Sequence, residues 1–463
     1  MQSKEPPPAG PVSALPSRRQ AFGVWVRVAL QSFGGPAGQI AVMHRLLVEE
    51  QRWISERRFL HALNYCLLLP GPEAQQLATY IGWLLHRTPG GLMAGTLFVL
   101  PGFLSILGLS YLYVELGDVG VVAGLFLGLK PAVLAVVVEA LIRIGRRALV
   151  GGFRVALAAL AFVAIFFFEL PFPMIIAAAA LLGWAGGRWM AAAAAGHRPE
   201  ADPAEASGVI DAAFEAGQLD HARPSWRRSV RVAAICLPLW LGPTALLWAL
   251  RGAGDVFARE AIFFSKAAVV TFGGAYAVLA YVAQEAVNTH GWLRPGEMLD
   301  GLGMAETTPG PLIMVVQFVG FVGAYRQAGD LSPGLAGALA AALTTWVTFV
   351  PCFLWIFLGA PYVESLRGRT SLTNAFAGIT AAIVGVILNL AVWFALHTLF
   401  GQIEVLPRWG VTWQIPRVET VAWAPLAIAV LAFLMLFALR WGMLRTLLAC
   451  GLVGAALSLF LGQ

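Results

Sequence analysis

Ser32-Phe33-Gly34-Gly35-Pro36, Trp53 and Leu69-Pro70-Gly71-Pro72 decide how this chain is read, because the string returns 239 residues later. The second copy is Thr271-Phe272-Gly273-Gly274-Ala275, Trp292 and Thr308-Pro309-Gly310-Pro311, with the same internal spacing. Leu100-Pro101 likewise matches Val350-Pro351, and Gly128 matches Gly378, at an offset of 250 that a short insertion explains. Pro lacks an N–H and clashes with the preceding turn, so Pro-Gly-Pro in an apolar stretch divides a helix. Residues 59–69 and 72–85 become one pair of half-helices, and 297–308 and 311–324 the other.

Both copies lie in apolar sequence. Of 463 residues 59% are hydrophobic and only 12% charged, and mean hydropathy is +0.75. A soluble protein of this length needs far more charge on its surface, and many stretches exceed the roughly 18 apolar residues that suggest a membrane span. The fold class is an all-α polytopic membrane protein. Hydropathy places spans near 21–44, 59–85, 91–114, 120–141, 153–168 and 172–195, then 230–250, then 258–283, 297–324, 333–358, 372–397, 421–439 and 441–461, about thirteen transmembrane elements. The organisation is a disordered tail (1–20), a first repeat (21–195), a cytoplasmic linker of mobile, Ala/Pro/Asp-rich composition (196–229), an extra helix (230–250) and a second repeat (251–463). No cleavable signal peptide is evident, so the first span is expected to act as its own anchor.

Loop charge orients the chain. With the N-terminus cytoplasmic, roughly 19 of 31 basic residues fall inside, among them Arg143, Arg146, Arg147 and Arg154, while the loops near 115–119 and 169–173 hold none. The C-terminus is then outside. The extra helix makes the number of crossings before the second repeat odd, so the two repeats have inverted topology. The loop 400–420, with Trp409 and Trp413, reads as an interfacial segment.

Irregular backbone at membrane depth is tolerated only where it is buried in protein or lines a cavity. Paired breaks in two inverted halves are the sequence pointer to a transporter's binding site. The half-helix that starts at each break offers free N–H groups and a partial positive charge, which suits an anion. The expected anion site therefore comprises Phe33, Gly34, Gly35, Pro70, Gly71 and Pro72 with Phe272, Gly273, Gly274, Pro309, Gly310 and Pro311, and the amides of Gln75 and Gln76. Asn64 and Gln317 are further amide donors. Arg27 and Lys266 recur six residues before the two Phe-Gly-Gly copies and Lys130 lies in the fourth span, so three intramembrane cations are expected to draw in a dianion. Glu73, directly after Pro72, is the leading candidate for proton coupling or gating, and Glu139 and Glu306 are weaker ones.

Four cysteines and seven histidines show no ligand spacing, so no metal and no cofactor are expected, and no catalytic residue. The basic pI of 9.4 comes from dispersed loop charge, which argues for a lipid bilayer and against nucleic acid as the partner.

Phe33-Gly34-Gly35-Pro36 and the run Leu-Pro-Gly-Pro-Glu-Ala-Gln-Gln-Leu-Ala-Thr-Tyr-Ile-Gly-Trp at 69–83 closely resemble the chromate ion transporter family in its long, two-domain form. The resemblance covers nearly the whole chain apart from tail and linker. It implies efflux of chromate across a bacterial inner membrane, chromate resistance, sulfate as a structural analogue, and an antiporter drawing on the proton gradient or membrane potential. The second copy departs from the family pattern, with Ala275 where Pro36 stands and Leu312 where Glu73 stands. The expected function is secondary active export of a tetrahedral oxyanion by alternating access. Alternatives are a transporter of sulfate or another oxyanion, an anion channel and, from another class, a membrane enzyme, for which no cofactor ligands are present. A homodimer is allowed for.

Overall fold

In the computed structural model, which describes residues 15–117, 119–187, 208–272, 275–362, 370–408 and 411–461, the first Phe-Gly-Gly and both Pro-Gly-Pro motifs are helix breaks. Helix α1 (Arg18–Gln31) stops at Ser32. Gly34 and Gly35 then take left-handed φ of +85° and +68°, and α2 (Gly35–His44) starts with Pro36 in its first turn. After a π-helical turn over Arg45–Glu50 comes α3 (Glu56–Cys66), then the Pro-Gly-Pro break, then α4 (Glu73–Leu116), itself interrupted at His86 and Arg87. Helices α5 (Gly120–Ala148), α6 (Gly152–Phe166) and α7 (Phe172–Ala185) complete the first half. A short α8 (Val209–Glu215) and a long α9 (Trp226–Arg251) lead to the second.

The second half follows the same order. Helices α10 (Val256–Val270) and α11 (Ala275–Gln284) flank the second Phe-Gly-Gly, and Glu285–Thr289 repeats even the π-helical turn. Helix α12 (Glu297–Thr307) and α13 (Val315–Arg326) flank the second Pro-Gly-Pro, followed by α14 (Pro333–Gly359), α15 (Thr370–Leu399), α16 (Trp423–Phe433) and α17 (Met443–Leu461). One departure from an all-helical chain lies between α15 and α16. The expected interfacial loop is an antiparallel hairpin of β1 (Ile403–Arg408) and β2 (Val411–Pro416), with Trp413 edge-on to Phe167 at 5.4 Å; Trp409 lies outside the described residues.

Among the described residues, six helical stretches are long and apolar enough to cross a membrane: Glu73–Leu116, Gly120–Ala148, Trp226–Arg251, Pro333–Tyr362, Thr373–Leu399 and Met443–Phe460. Shorter apolar helices accompany them, and the chain is a multi-pass membrane protein. The stretches over 21–44 and 258–283, expected as single spans, are instead two short helices each, and the half-helices expected over 59–85 and 297–324 stand on either side of Pro-Gly-Pro, folded about the break. Their ends meet. Glu297 at the start of α12 pairs with Arg326 at the end of α13 at 2.7 Å, and Arg27 on α1 reaches Glu50 beyond α2 at 2.9 Å. A hydropathy window sums apolar residues and is blind to such a reversal of direction.

The breaks tie the halves together. The Gly71 N–H donates to the Thr271 carbonyl at 2.7 Å, and the Gly310 N–H donates to the Ser32 carbonyl at 2.9 Å. Ser32 and Thr271 are repeat equivalents, as are Gly71 and Gly310, so each break bonds the other half in the same way. Gly71 (φ +120°) and Gly310 (φ +113°) adopt backbone that only glycine holds without strain. A Cβ on Gly310 would meet Gly102, and one on Gly71 would meet Cys352, again equivalent positions. Packing elsewhere is equally reciprocal. Gly128 of α5 lies on Cys450 of α17, and Gly378 of α15 lies on Ala179 of α7. Both contacts are antiparallel, since Gly124 meets Ala455 and Ser458 while Gly183 meets Asn374 and Gly378.

Part of the linker is docked rather than mobile. Residues 196–207 lie outside the described residues, but the N–H groups of Val209 and Ile210 bond the carbonyls of Arg52 and Trp53, at 3.1 and 2.8 Å. Asp211 accepts from the Ser55 N–H at 2.9 Å and from Arg58 at 2.6 Å. Burial alone would raise the Asp211 pKa, yet the Arg58 guanidinium and the Ser55 amide hold it below its ordinary value. At the other terminus the expected tail ends earlier than residue 20, because Ser17 and Gln20 cap α1 in a mutual capping box; residues 1–14 lie outside the described residues.

Candidate functional site

The helix starts that follow the two Phe-Gly-Gly copies line one place. A cleft of about 330 Å³ is lined by Pro36 and Ala37 at the start of α2, by Ala275 and Tyr276 at the start of α11, and by Glu73 at the start of α4. Three helix N-termini from both halves therefore face one space, each with first-turn N–H groups that have no partner inside the helix. Arg143 and Arg147, a turn apart on α5, supply the positive charge on the opposite wall, and Thr380 of α15 joins them.

The carboxylates of this site differ in their surroundings. Glu73 is 7% exposed and opens α4, with Pro72 as cap. Glu306, the last but one residue of α12, accepts a hydrogen bond from the Tyr276 hydroxyl through Oε1, while its buried Oε2 has no protein partner and faces Gly35. Glu139 pairs with Arg143 at 3.3 Å, one helical turn apart and part-exposed. A planar guanidinium has five donors and matches two oxygens of an oxyanion at once, so Arg143 keeps donors free beyond that single bond. Helix N-termini plus guanidinium groups make a receptor for a compact, multiply charged oxyanion.

The sequence-expected residues divide sharply. Gly34, Gly35, Pro70, Gly71, Pro72, Pro309, Gly310 and Pro311 form the two cross-bonded breaks that shape the cleft, while Gly273 and Gly274 lie outside the described residues. Phe33 caps the turn with its carbonyl close over Gly38, and Phe272 packs on Phe376 at 6.0 Å. Gln76 donates to the Pro70 carbonyl at 2.7 Å, which braces the break, whereas Gln75 bonds Thr79 at 3.1 Å inside its own helix. Gln317 donates to the Phe103 carbonyl at 2.9 Å, and Asn64 is exposed.

The three expected cations are not gathered there. Arg27 is half-exposed and paired with Glu50 at 2.9 Å. Lys266 is exposed on α10. Both sit six residues before a break, which along a helix is about 9 Å away from it. Lys130 pairs at 3.1 Å with Asp300 of α12, a carboxylate 1% exposed that also accepts from the Tyr113 hydroxyl at 3.0 Å. Arg143 and Arg147 take their place, having read only as inside-loop charge. One signal could have found them: Glu139, Arg143 and Arg147 are four residues apart in turn and share one face of α5. Tyr276 and Gln39, whose amide donates to the Gly310 carbonyl at 2.6 Å, carried no sequence signal because their repeat equivalents, Ala37 and Val278, are apolar.

A family model described as chromate transporter matches residues 19–184 and 259–455. A chromate transport protein of Pseudomonas aeruginosa is 32% identical over 380 residues, covering 80% of this chain and 79% of the relative. One from Cupriavidus metallidurans is 28% identical over 408 residues, covering 86% and 89%. A probable chromate transport protein of Synechococcus elongatus is 25% identical over 423 residues, covering 89% and 95%. No solved structure matches the chain.

Proposed function

The chain belongs to the chromate transporter family, and from that premise we propose that it exports chromate across the inner membrane by alternating access, conferring chromate resistance. The observation that carries this reading is the cleft where the starts of α2, α4 and α11 converge opposite Arg143 and Arg147. Chromate is a tetrahedral dianion. The helix starts and guanidinium groups neutralise it, and Glu73 and the Tyr276–Glu306 pair gate the way past the break. A membrane enzyme is set aside, since the matched relatives are transport proteins.

Inverted topology is supported by packing. Helices α5, α6 and α7 are joined by turns at 149–151 and 167–171, so α7 runs parallel to α5. Helix α7 packs antiparallel on α15, the repeat equivalent of α5, and equivalent helices therefore point in opposite directions. With the four folded-back helix pairs counted as re-entrant, nine crossings remain, and the single crossing of α9 keeps the inversion. The N-terminus and linker are then cytoplasmic and the C-terminus periplasmic. The cleft lies toward the cytoplasmic end of α5, where an exporter loads. Its opposite counterpart, lined by Gln284, Asn288, Asn389, Trp393 and Gln414, holds only about 30 Å³, which supports an inward-open state.

Chromate accumulation in everted vesicles tests the function. Arg143→Ala and Glu73→Gln are expected to abolish or sharply reduce it, and normal accumulation by both would overturn the site. Excess sulfate in the same assay separates the chromate reading from a general oxyanion carrier, and a large current insensitive to a pH gradient would mean a channel. Cysteines introduced as Arg52→Cys and His290→Cys should label from opposite faces; labelling from one face would end the inverted arrangement.

A further inference from the structure

Helix α10 carries a carboxylate that the cleft does not use. Glu260 is 0% exposed, and neither of its side-chain oxygens has a hydrogen-bond partner. It lies over Gly320 and Gly323 of α13, beside the pyrrole edge of Trp292, and next to Thr344 of α14, whose buried hydroxyl is also unpartnered. No basic side chain among the described residues is within ion-pair distance of it. The charged groups nearest along the chain are Asp255 and Arg259 on its own helix. Arg259 donates to His290 at 3.0 Å, and the His290 ring stacks on Trp292 at 4.2 Å. The Glu297–Arg326 pair reaches the same tryptophan through its carbonyl, at 3.2 Å from Arg326. Helix α13 presents only glycine here and α14 only the threonine.

The other half shows that the fold has no need of this group. The repeat equivalents of Glu260, Gly320, Gly323 and Thr344 are Ala21, Ile81, Leu84 and Ala94, all 0% exposed. The same helix contact is thus packed with hydrocarbon in one half. In the other, two large side chains are reduced to glycine, and the space goes to a carboxylate and a hydroxyl. An ionised carboxylate with neither water nor counter-charge costs several kcal/mol. Buried unsatisfied polar groups call for a physical reason, and an ionisable residue at membrane depth points to function.

We propose that Glu260, with Thr344 beside it, is the proton-binding site through which the proton gradient drives transport. The inference rests on the transport reading above and adds the coupling residue to it. The carboxylate takes one proton from the periplasmic solution past Arg259 and His290, is held neutral while packed over Gly320 and Gly323, and releases that proton to the cytoplasm in the alternate state. Two carboxylate oxygens and one hydroxyl are too few to replace the oxygen shell of a metal ion. Helix α10 also supplies the mechanical link, because it ends at Thr271, whose carbonyl holds the Gly71 N–H at the first break. A movement of α10 over the two glycines acts directly on the bond that joins the halves.

The test uses the full chain in proteoliposomes and compares two assays. Chromate/chromate exchange needs no net proton movement, whereas accumulation against an imposed pH gradient does. Glu260→Gln keeps the size and neutrality of the acid, so it should exchange within roughly twofold of wild type and lose accumulation by about tenfold or more. Accumulation at the wild-type level with an unchanged pH profile would overturn the proposal. Carbodiimide labelling of Glu260 in the wild-type chain, read by mass spectrometry, covers the case in which the variant fails to fold. Labelling should decline as pH rises and be indifferent to Na⁺. Labelling that is flat with pH, or blocked by Na⁺ at constant pH, would overturn the proton assignment. If the wild-type chain exchanges no chromate, the transport reading fails, while the labelling still decides whether Glu260 binds a proton.

Discussion

The two folded-back helix pairs built around Pro-Gly-Pro share a backbone and differ in what holds their mouths. In the second half the pair is closed within itself, by Glu297 and Arg326 at 2.7 Å. In the first half the equivalent positions are Arg58 and Arg87, two like charges that cannot close anything. The linker supplies the missing acid instead, as Asp211 on Arg58 at 2.6 Å. The walls differ too. Arg143 and Arg147 line the open cleft, whereas Trp393, the equivalent of Arg143, lines a space of about 30 Å³. Duplication preserved the breaks and their mutual bonds, and the chemistry was then divided between the copies.

The comparison is broken most severely at the bonds the halves share. Gly310→Ala places a Cβ against Gly102 at a φ of +113°, which combines backbone strain of about 1–3 kcal/mol with a steric clash. Gly71→Ala brings similar backbone strain at a φ of +120°, but its Cβ meets the side chains of Cys352 and Gln76 rather than backbone, so its loss should be smaller. The melting temperature of the detergent-solubilised chain reads both, and an equal or larger loss at Gly71 would show that the first break carries the assembly. Next in size is Arg143→Ala. Losing one charge-assisted hydrogen bond of about 1.5–3 kcal/mol should weaken chromate binding roughly 10- to 100-fold. Trp393→Ala, at the equivalent position, should leave binding near wild type, and an equal loss would mean that both walls hold substrate.

A smaller effect separates the two clasps. Glu297→Gln strands Arg326 in a part-buried site, and about 2 kcal/mol is expected, less than for a fully buried pair because Arg326 is 30% exposed. Hydrogen exchange over α12 and α13 should rise while that over α3 stays unchanged. Exchange rising equally in both halves would show that the clasps are not independent.

How much of this was legible follows from what a repeat can and cannot encode. The breaks, the two halves and the membrane class were written in Pro-Gly-Pro and in hydropathy, since backbone requirements must appear in both copies. That the expected cations lie apart from the cleft has the converse reason. Arg27 and Lys266 recur, which made them conspicuous, but recurrence marks a position in the fold and not a place in the cleft. Arg143, Tyr276 and Glu260 occur in one half alone, opposite Trp393, Ala37 and Ala21. A residue that distinguishes the halves is invisible to an argument built on their likeness. Folding-back of the helix pairs was hidden as well, because a hydropathy window does not register contacts across a break such as Glu297–Arg326.

The linker clasp gives the smallest effect and the one with a pH signature. Asp211 has its pKa lowered from 3.8, burial opposing and the Arg58 guanidinium and Ser55 amide prevailing. A carboxylate lowered in the folded state contributes stability that is complete above its unfolded value and lost as pH falls through the folded one. Docking of α8 should therefore be constant at neutral pH and loosen only below about pH 4. Asp211→Asn should remove about 1 kcal/mol at pH 7 and abolish that acid-dependent step, because the amide keeps a hydrogen bond but not the charge. Protease cleavage near Gly217 measures the docked fraction, since the segment must leave Arg52–Arg58 to be cut. Glu297→Gln should leave this cleavage untouched. If it accelerates cutting as much as Asp211→Asn does, the linker senses the whole molecule and the first half has no clasp of its own.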